Sequence, residues 1–444
     1  MPTTLQINAR WIITVDTDNN VLEHHALIIQ NDTIIDILPQ HEAQKHQADR
    51  CIDLQDHALA PGFINAHTHA AMSLLKGLAD DLPLEEWLNE HIWPAEAALA
   101  NAQFVKDGST LAIAEMIRGG TTCFNDMYFF IDQTAAVASQ TGIRANIGIP
   151  VIDFPTRWAK NLDEYISKGL AVRDQFKHQD LISFSFAPHA PYTVSDHSLN
   201  RIKPLMDELA LSMHIHAHET ADEVKQSINT HGQTPISRLN QLGLLGPDFI
   251  SVHMNELNDQ DIQHVAEHGV HIVHCPESNL KLASGFCPII KLLKAGINVA
   301  LGTDGSASNN DIDMLGEIRS AALLAKGTSK RADALPAHQA LRMATINGAK
   351  ALGLDDKIGS LEVGKHADFF AINLNSIETQ PVYDAVSTLI YSANRSQITD
   401  VWVAGKQLMS EQQLNTIDES ALLADVAQWQ GKISPFHHPT NKAV

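Results

Sequence analysis

Two histidines one residue apart, His67 and His69 in the stretch APGFINAHTHA, have the spacing of metal ligands. They follow an apolar segment that alternates like a β-strand, so their side chains would point to the same side and could share one ion. Two ligands do not complete such a site. A catalytic zinc ion usually takes three or more protein ligands and keeps a position for water. Other parts of the chain must therefore contribute.

Further metal-competent side chains end other apolar segments of the chain. Reading eight such segments to their last residues gives His67 with His69, His189, His216 with Glu219, His253, His274 and Asp304. The strand pattern described below predicts that these eight segments form a (β/α)8 barrel. Active sites of such barrels lie at the ends of the strands, so we expect these side chains to gather at one rim of the barrel. His216 and Asp304 can complete the ligand set.

The stretch HIHAHE leaves a choice open. His214, His216 and His218 share one alternating phase, and spacing alone does not select the ligand among them. A histidine in a barrel is more often a hydrogen-bonded structural residue, which is the role we assign to His214, His218 and His274.

The middle of the chain alternates short apolar segments with longer helical patterns, which is typical of repeated βα units and a parallel sheet. The predicted strands are 60–67, 121–126, 144–151, 181–189, 212–218, 249–254, 270–275 and 298–304. Eight strands match a closed (β/α)8, TIM-like barrel. Helices are predicted at 110–120 and 315–327, with glycines near their ends as C-caps.

Both ends of the chain have a different, β-rich texture. Residues 5–15 and 26–38 alternate apolar and polar residues around the turn DTDNN, and 368–374 and 398–408 do the same, with an Ala-Gly hairpin turn in the latter. We therefore predict a small β-sandwich domain built from residues 1–57 and 364–444, the latter including a terminal helix and tail, around a barrel at 58–363.

Composition limits the class of partner. The net charge is −21, with 31 Lys and Arg against 52 Asp and Glu, which argues against a nucleic-acid surface and favours a small-molecule substrate. No apolar run is long enough to span a bilayer, and the N-terminus lacks a secretory pattern, so we expect a cytoplasmic protein without a membrane partner. The four cysteines are scattered and are expected to be reduced.

Several longer motifs together resemble the amidohydrolase superfamily, and within it the 5'-methylthioadenosine/S-adenosylhomocysteine deaminase group. They are PGFINAHTHAAMSLLKGLADDLPLEEWLNEHIWPAE, HIHAHET, SVHMN, HCPESNLKLASG, GTDGSASNNDIDML and IGSLEVGKHADFFAIN. The ordered set HTH, HxxE, H and GTD is specific for the superfamily, and LPLEEWL with IWPAE indicates the deaminase group. The resemblance covers nearly the whole chain.

The resemblance implies one divalent metal per subunit, usually zinc, held by His67, His69, His216 and Asp304. It selects His216, which precedes Glu219 by three residues as the HxxE motif requires. Members with two metals often carry a carbamylated lysine at the end of the fourth strand. Here that strand ends in APHAPY without a lysine, which agrees with the one-metal class.

The implied reaction is hydrolytic deamination of 5'-methylthioadenosine, with S-adenosylhomocysteine or adenosine as further substrates. A metal can lower the pKa of bound water to about 7 and so supply a nucleophile. Glu219 would protonate the adenine ring nitrogen as a general acid. His253 and Asp304 would orient the water, and Asp304 would pass a proton to the leaving amine.

The resemblance also implies substrate contacts. Glu96 would bind the ribose hydroxyls, since a carboxylate accepts two hydrogen bonds from a vicinal diol. His189 would reach the ribose or base, Trp87 would form an apolar wall, and Arg157 would contact the 5' side in preference to Arg144.

Two other functions fit parts of the pattern. One is a related amidohydrolase that acts on guanine-type bases or triazines. The other is a catalytically silent relative that serves as an oligomeric interaction module. A homo-oligomer is plausible for the enzyme as well, although the sequence shows no interface.

Overall fold

The computed structural model describes residues 3–45 and 47–437 and arranges their strands in two eight-stranded sheets. The strands are β1 (Thr4–Ile13), β2 (Val21–Gln30), β3 (Thr33–Pro39), β4 (Arg50–Pro61), β5 (Phe63–Thr68), β6 (Thr121–Met127), β7 (Arg144–Val151), β8 (Ile182–Pro188), β9 (Ser212–Ala217), β10 (Phe249–His253), β11 (His271–His274), β12 (Val299–Leu301), β13 (Phe369–Asn373), β14 (Ile398–Val403), β15 (Lys406–Ser410) and β16 (Gln413–Leu414).

One short helix lies between β3 and β4, and the other helices follow β5 and separate most of the later strands. They are α1 (Gln40–Ala43), α2 (Leu84–Glu86), α3 (Trp93–Leu99), α4 (Ala102–Arg118), α5 (Ile131–Thr141), α6 (Leu162–Phe176), α7 (Asp196–Leu209), α8 (Ala221–His231), α9 (Pro235–Gln241), α10 (Asp259–His268), α11 (Pro276–Lys281), α12 (Ile289–Lys294), α13 (Ser306–Asn309), α14 (Met314–Ser329), α15 (Ala337–Met343), α16 (Ile346–Ala351), α17 (Ala385–Tyr391) and α18 (Glu419–Ile433). A π-helical turn at Trp87–Ile92 joins α2 to α3.

Strands β5 to β12 form a parallel sheet in which each strand neighbours the next one along the chain. The backbone N–H of Asp304, just beyond β12, donates to the carbonyl of His67 in β5 at 3.1 Å, which brings the last strand against the first. This architecture confirms the predicted (β/α)8 barrel. All eight strand positions proposed from the sequence carry a barrel strand.

Gly302 permits the close approach of the first and last strands. A Cβ atom at this position would lie 2.8 Å from the backbone nitrogen of His67 and 2.8 Å from its Cβ. Because no larger residue fits between the strands, the GTD motif needs its glycine to bring Asp304 beside His67.

The second sheet combines strands from both ends of the chain, in the order β16-β15-β14-β13-β4-β1-β2-β3. Strand β4 pairs with β1 in parallel and with β13 in antiparallel orientation. The edge strand β3 curls back so that the Ile34 N–H donates to the Lys365 carbonyl at 2.8 Å, enclosing a separate apolar core. The additional domain predicted from the two termini is therefore present.

Three local features were not predicted or differ from the prediction. The segment 26–38 forms parts of two strands, β2 and β3, because Asn31 turns the chain with a φ of 55°. Strand β4 was not predicted, since Asp53 and Asp56 interrupt its apolar pattern. Gly327 lies inside α14, which is capped instead by Lys330 in a left-handed conformation, whereas Gly119 does cap α4.

A buried ion pair joins the barrel to the terminal domain. Arg144, the first residue of β7, donates from Nε to Asp368 Oδ2 at 3.0 Å and from Nη2 to Asp368 Oδ1 at 3.1 Å. Both side chains are almost fully buried. Arg144 is thus held in this interface and does not line the cavity described below.

The division at residues 57 and 363 stays a prediction, and the terminal tail at 438–444 lies outside the described residues. Within the described part of the chain, no helix combines the length and apolarity needed to cross a bilayer.

Candidate metal centre and active site

The side chains singled out from the sequence meet at one rim of the barrel. His67 and His216 lie near the ends of β5 and β9, His253 ends β10, and His189 directly follows β8. His253 and Asp304 have positive φ values of 72° and 61°. Such a backbone is uncommon for residues other than glycine and often marks a functional site.

The four proposed metal ligands form one compact group. Their donor atoms, one from each of His67, His69, His216 and Asp304, all lie within 4.8 Å of one another. The Nε2 atoms of His67 and His216 are 3.1 Å apart, and the Nε2 atoms of His67 and His69 each lie 3.2 Å from Asp304 Oδ1. Three imidazoles and a carboxylate converging in this way suit a divalent ion such as zinc.

Each ligand histidine uses its other ring nitrogen in an outer hydrogen bond. The Nδ1 atoms of His69 and His216 contact the carbonyl oxygens of Met127 and His189 at 2.5 and 2.6 Å. His67 Nδ1 contacts His214 Nε2 at 2.9 Å. Since a carbonyl only accepts, His69 and His216 each carry a proton on Nδ1, and the Nε2 atoms of both face the centre of the group. This is the arrangement expected around a bound metal.

Asp304 is oriented by hydroxyl groups as well as by the histidines. Its Oδ2 accepts from Ser278 Oγ at 2.7 Å and from Ser308 Oγ at 2.9 Å. Burial alone would raise the pKa of Asp304, but the hydrogen bonds and charges of His67 and His69 outweigh it and hold the pKa well below its usual value. The group therefore presents a fixed carboxylate.

The electrostatics of the group favour positive charge at its centre. Burial would lower the pKa of His69, but the hydrogen bond and charge of Asp304 raise that pKa to about 9. Burial lowers the pKa of His67 to about 4, despite its hydrogen bond with Asp304. The carboxylate thus attracts one cationic group while a neutral imidazole stands beside it, which suits coordination of a cation.

Glu219 lies next to the metal group and is 6% exposed. Burial raises the pKa of its carboxyl, so the group tends to keep a proton. Glu219 Oε2 is 3.7 Å from His253 Nε2, and Ser284 Oγ donates to Oε1 at 3.4 Å. A buried carboxyl with a raised pKa beside a metal site has the properties of a general acid.

The loop that carries Glu219 is held by a second carboxyl group. Glu223 accepts the backbone N–H groups of His218 and Glu219 at 3.0 and 2.7 Å. Thr220 caps α8 by accepting the N–H of Glu223, so the turn TADE has the spacing of a capping box. The start of α8 thereby fixes the backbone from which the Glu219 side chain extends.

A cavity of about 450 Å³ opens above the metal group, and its lining is mostly apolar. Glu96 is partly buried in its wall and accepts a hydrogen bond from Tyr128 OH at 2.6 Å. Burial raises the pKa of Glu96, although the Tyr128 hydrogen bond opposes the shift. Tyr128 donates only to Glu96 Oε1, so Glu96 Oε2 can accept a hydrogen bond from a ligand hydroxyl.

His189 also lines this cavity. Its Nδ1 lies 2.9 Å from Thr193 Oγ1, which in turn donates to the Ala190 carbonyl at 3.1 Å. Burial, together with the charges of the nearby His69 and His67, lowers the pKa of His189 to about 4. A neutral imidazole anchored at Nδ1 can accept a hydrogen bond at Nε2.

Trp87 and Arg157 also line the cavity. Trp87 is 5% exposed and belongs to the π-helical turn between α2 and α3. The exposed Arg157 donates from Nη1 to the carbonyl of Ala98 at 2.8 Å and to that of Ala97 at 3.3 Å, at the end of α3. Its remaining guanidinium donors can face the cavity.

Some residues of the site were not identified from the sequence. Tyr128 directly follows β6, so reading one residue further along that strand would have found it. Ser278, Ser308 and His214 hold metal ligands through contacts between distant segments, and His214 had been given only a structural role. His218 does have that role, because both its ring nitrogens bind backbone groups.

Comparisons with known proteins place this site in context. Residues 58–408 match the amidohydrolase family model. The chain is 49% identical over 438 residues to a 5-methylthioadenosine/S-adenosylhomocysteine deaminase from Saccharophagus degradans, with 97% of each protein covered. Its structure superposes with a TM-score of 0.96 on an adenosine deaminase from Xanthomonas campestris solved with bound zinc, which is 50% identical, with 98% of this chain and 99% of that chain covered.

Comparison with a more distant protein shows only that the two share a fold. An atrazine chlorohydrolase from Arthrobacter aurescens, solved with zinc, superposes with a TM-score of 0.90 at 23% identity, with 96% of this chain and 99% of that chain covered. The barrel and the terminal domain are therefore common to proteins with different substrates.

Proposed function

The chain belongs to the amidohydrolase family, and we propose that it is a zinc-dependent deaminase that converts 5'-methylthioadenosine to the inosine analogue and ammonia. S-adenosylhomocysteine and adenosine are proposed as further substrates. The observation that carries the proposal is the position of the Glu219 carboxyl, buried beside the four converging metal donors at the base of an apolar cavity. This combination offers both a metal and a proton donor to a planar heterocycle.

We propose that His67, His69, His216 and Asp304 hold the ion. A divalent ion at this position would supply a nucleophile at neutral pH by making water more acidic. The chain's own contribution is to orient that water between His253 Nε2 and the Asp304 carboxylate. The serine hydroxyls on Asp304 Oδ2 keep the carboxylate in place.

Proton transfer is assigned to two carboxyl groups. Glu219 gives its proton to the ring nitrogen next to the carbon under attack, where negative charge builds as aromaticity is lost. Asp304 takes a proton from the water and passes it to the departing amine, and the remaining hydroxyl proton returns to Glu219 as the C–N bond breaks and the carbonyl forms. The buried setting of Glu219 supports this role, since its raised pKa keeps a proton available.

The cavity wall is assigned to the rest of the nucleoside. Glu96 accepts the ribose hydroxyls, with its orientation fixed by Tyr128. His189 contributes an acceptor to the ribose or base, and Trp87 packs on the apolar face. Arg157 is proposed to contact the 5' substituent.

The fold alone does not exclude a hydrolase of guanine-type bases or triazines, because a triazine enzyme shares it. Glu96 favours a nucleoside, since a free base or a triazine has no vicinal diol to pair with a carboxylate. The identity of 49% to a nucleoside deaminase over nearly the full chain supports the same choice.

The proposal is tested by measuring ammonia release from zinc-loaded protein with 5'-methylthioadenosine, S-adenosylhomocysteine, adenosine and guanine side by side. We expect release from the adenine nucleosides and none from guanine. Zinc-loaded protein that releases no ammonia from any of the nucleosides would refute the proposal. Release from guanine alone would favour the alternative substrate class.

Replacement of Glu96 by glutamine should raise KM for 5'-methylthioadenosine by about 10- to 100-fold, because hydrogen bonds to a charged group contribute about 1.5–3 kcal/mol. The inhibition constant of free adenine, measured in the same assay, should change little since adenine has no ribose. Tyr128→Phe, which removes the hydrogen bond to Glu96 Oε1, should also raise KM for 5'-methylthioadenosine, but by a smaller factor than Glu96→Gln. Equal weakening of nucleoside and adenine would contradict the ribose role.

The remaining partner assignments are also proposals. The acidic net charge of −21 supports a small-molecule substrate and no nucleic-acid partner. We retain the cytoplasm as the proposed location and a homo-oligomer as a proposed assembly.

A further inference from the structure

We propose that Asn255 and Asn279 form a relay of two side-chain amides that fixes the tautomer of His253, and that Asn279 is a positioning residue for the proposed deamination. The two asparagines lie in the motifs SVHMN and HCPESNLKLASG, and the mechanism so far gives neither of them a role. The relay itself rests on geometry, while its kinetic consequence rests on the proposed function.

The relay is a continuous chain of three hydrogen bonds. Asn255 Nδ2 donates to the backbone carbonyl of Glu219 at 2.9 Å, and Asn279 Nδ2 donates to Asn255 Oδ1 at 2.9 Å. Asn279 Oδ1 then lies 2.9 Å from His253 Nδ1. The exposed fractions of Asn255, Asn279 and His253 are 6%, 1% and 1%, so water does not compete for these bonds.

The direction of every bond follows from the first acceptor. The carbonyl of Glu219 can only accept, so Asn255 must turn its NH₂ group toward it. The Asn255 oxygen then faces Asn279 and requires a donor there, which leaves the Asn279 oxygen facing His253. An oxygen at that position requires a proton on His253 Nδ1. The ring is therefore held with Nδ1 as the donor and with Nε2 toward Glu219 and the cavity.

The relay also joins two residues that line the cavity next to each other, Glu219 and His253. Its first bond holds the backbone of Glu219, and its last bond holds the ring of His253, whose Nε2 is 3.7 Å from Glu219 Oε2. His253 and Met254 have φ values of 72° and 54°, a strained backbone that needs support from its surroundings. Movement of one amide would thus misplace both catalytic side chains.

The kinetic test uses Asn279→Leu in zinc-loaded enzyme, which keeps the number of side-chain heavy atoms but removes the two relay bonds that Asn279 makes. We expect kcat for 5'-methylthioadenosine to fall by about 10- to 100-fold, below the 10²- to 10⁴-fold cost of losing a general acid or base outright. KM should change by less than about threefold, because the relay touches no substrate group.

The matched control is Asn146→Leu. Asn146 is also buried and donates to Asn125 Oδ1 at 2.7 Å and to Ser185 Oγ at 2.9 Å, but it does not line the cavity. It reports the cost of losing a buried amide from the barrel interior. Equal kcat values in the two leucine variants would overturn the positioning role.

The structural test reads the tautomer itself, by NMR of zinc-loaded protein with ¹⁵N-labelled histidine, with His253 assigned from a His253→Gln variant. We expect a protonated Nδ1 and a bare Nε2 in the wild type, and loss of that preference in Asn279→Leu. Asn279→Asp keeps an oxygen toward His253 and should retain the tautomer, which gives a readout even where the leucine variant does not fold.

A wild-type His253 protonated at Nε2 alone would overturn the relay. Because the NMR signal needs no substrate, failure of the relay can be told apart from failure of the proposed function.

Discussion

Replacement of Glu219 by glutamine is expected to lower kcat for 5'-methylthioadenosine by about 10²- to 10⁴-fold while the bound zinc is retained. Glutamine has the same shape and can donate a hydrogen bond, but it cannot give up a proton to the ring nitrogen. The expected loss is in kcat because the proton is transferred only as the transition state forms. Steady-state ammonia release measures kcat, and elemental analysis measures zinc in the same sample.

A matched control for this variant is Glu317→Gln. Glu317 is fully buried, and burial raises its pKa well above the usual value, as does the charge of Glu277, yet it does not line the cavity. We expect this variant to keep the wild-type kcat. A comparable loss in both variants would mean that glutamine at any buried carboxyl disturbs the barrel, and Glu219 would lose its role as the acid.

Removal of the metal is expected to abolish ammonia release and to reduce stability, and added zinc should restore both. A ligand present at a thousandfold excess over its dissociation constant stabilises the native state by about 4 kcal/mol. Chelator-treated protein should therefore unfold at a lower denaturant concentration than the zinc-loaded protein. Full activity in chelated protein shown to be metal-free by elemental analysis would contradict the metal's role.

His216 and His218, at the end of β9, allow the metal ligands to be tested one residue at a time. His216 faces the other metal donors, whereas the ring of His218 is bound by the backbone of Glu256 and Ile236. His216→Asn should lose stoichiometric zinc, and His218→Asn should retain it even where its stability falls. Equal zinc loss from both variants would refute the selection of His216 as ligand.

The sequence predicted those features of the fold that depend on local pattern. Each barrel strand is a short apolar run, and the rim follows because parallel strands all end at the same edge. His67, His69, His216 and Asp304 could be grouped for this reason before any distance was known. The choice of His216 over His214 and His218 came only from the family motif, since alternation treats all three alike.

Contacts between distant segments could not be predicted in the same way. The bond between Tyr128 and Glu96 joins a strand end to a helix, and no periodic pattern encodes such a pair. Arg157 was expected to contact the substrate, but its bonds to the end of α3 could not be predicted, because they depend on how that helix packs. Strand β4 was missed because its partners β1 and β13, rather than its own apolar content, stabilise it.

The terminal sheet has a consequence for the order in which the chain folds during synthesis. Strand β4 pairs with β13, with Pro61 opposite Phe369, so the whole barrel must leave the ribosome before this ladder can form. Until then the free edge of β4 is open to other chains, and pairings this distant in sequence form slowly. Nascent chains truncated before residue 369 should therefore be the species most prone to aggregate and most dependent on chaperones.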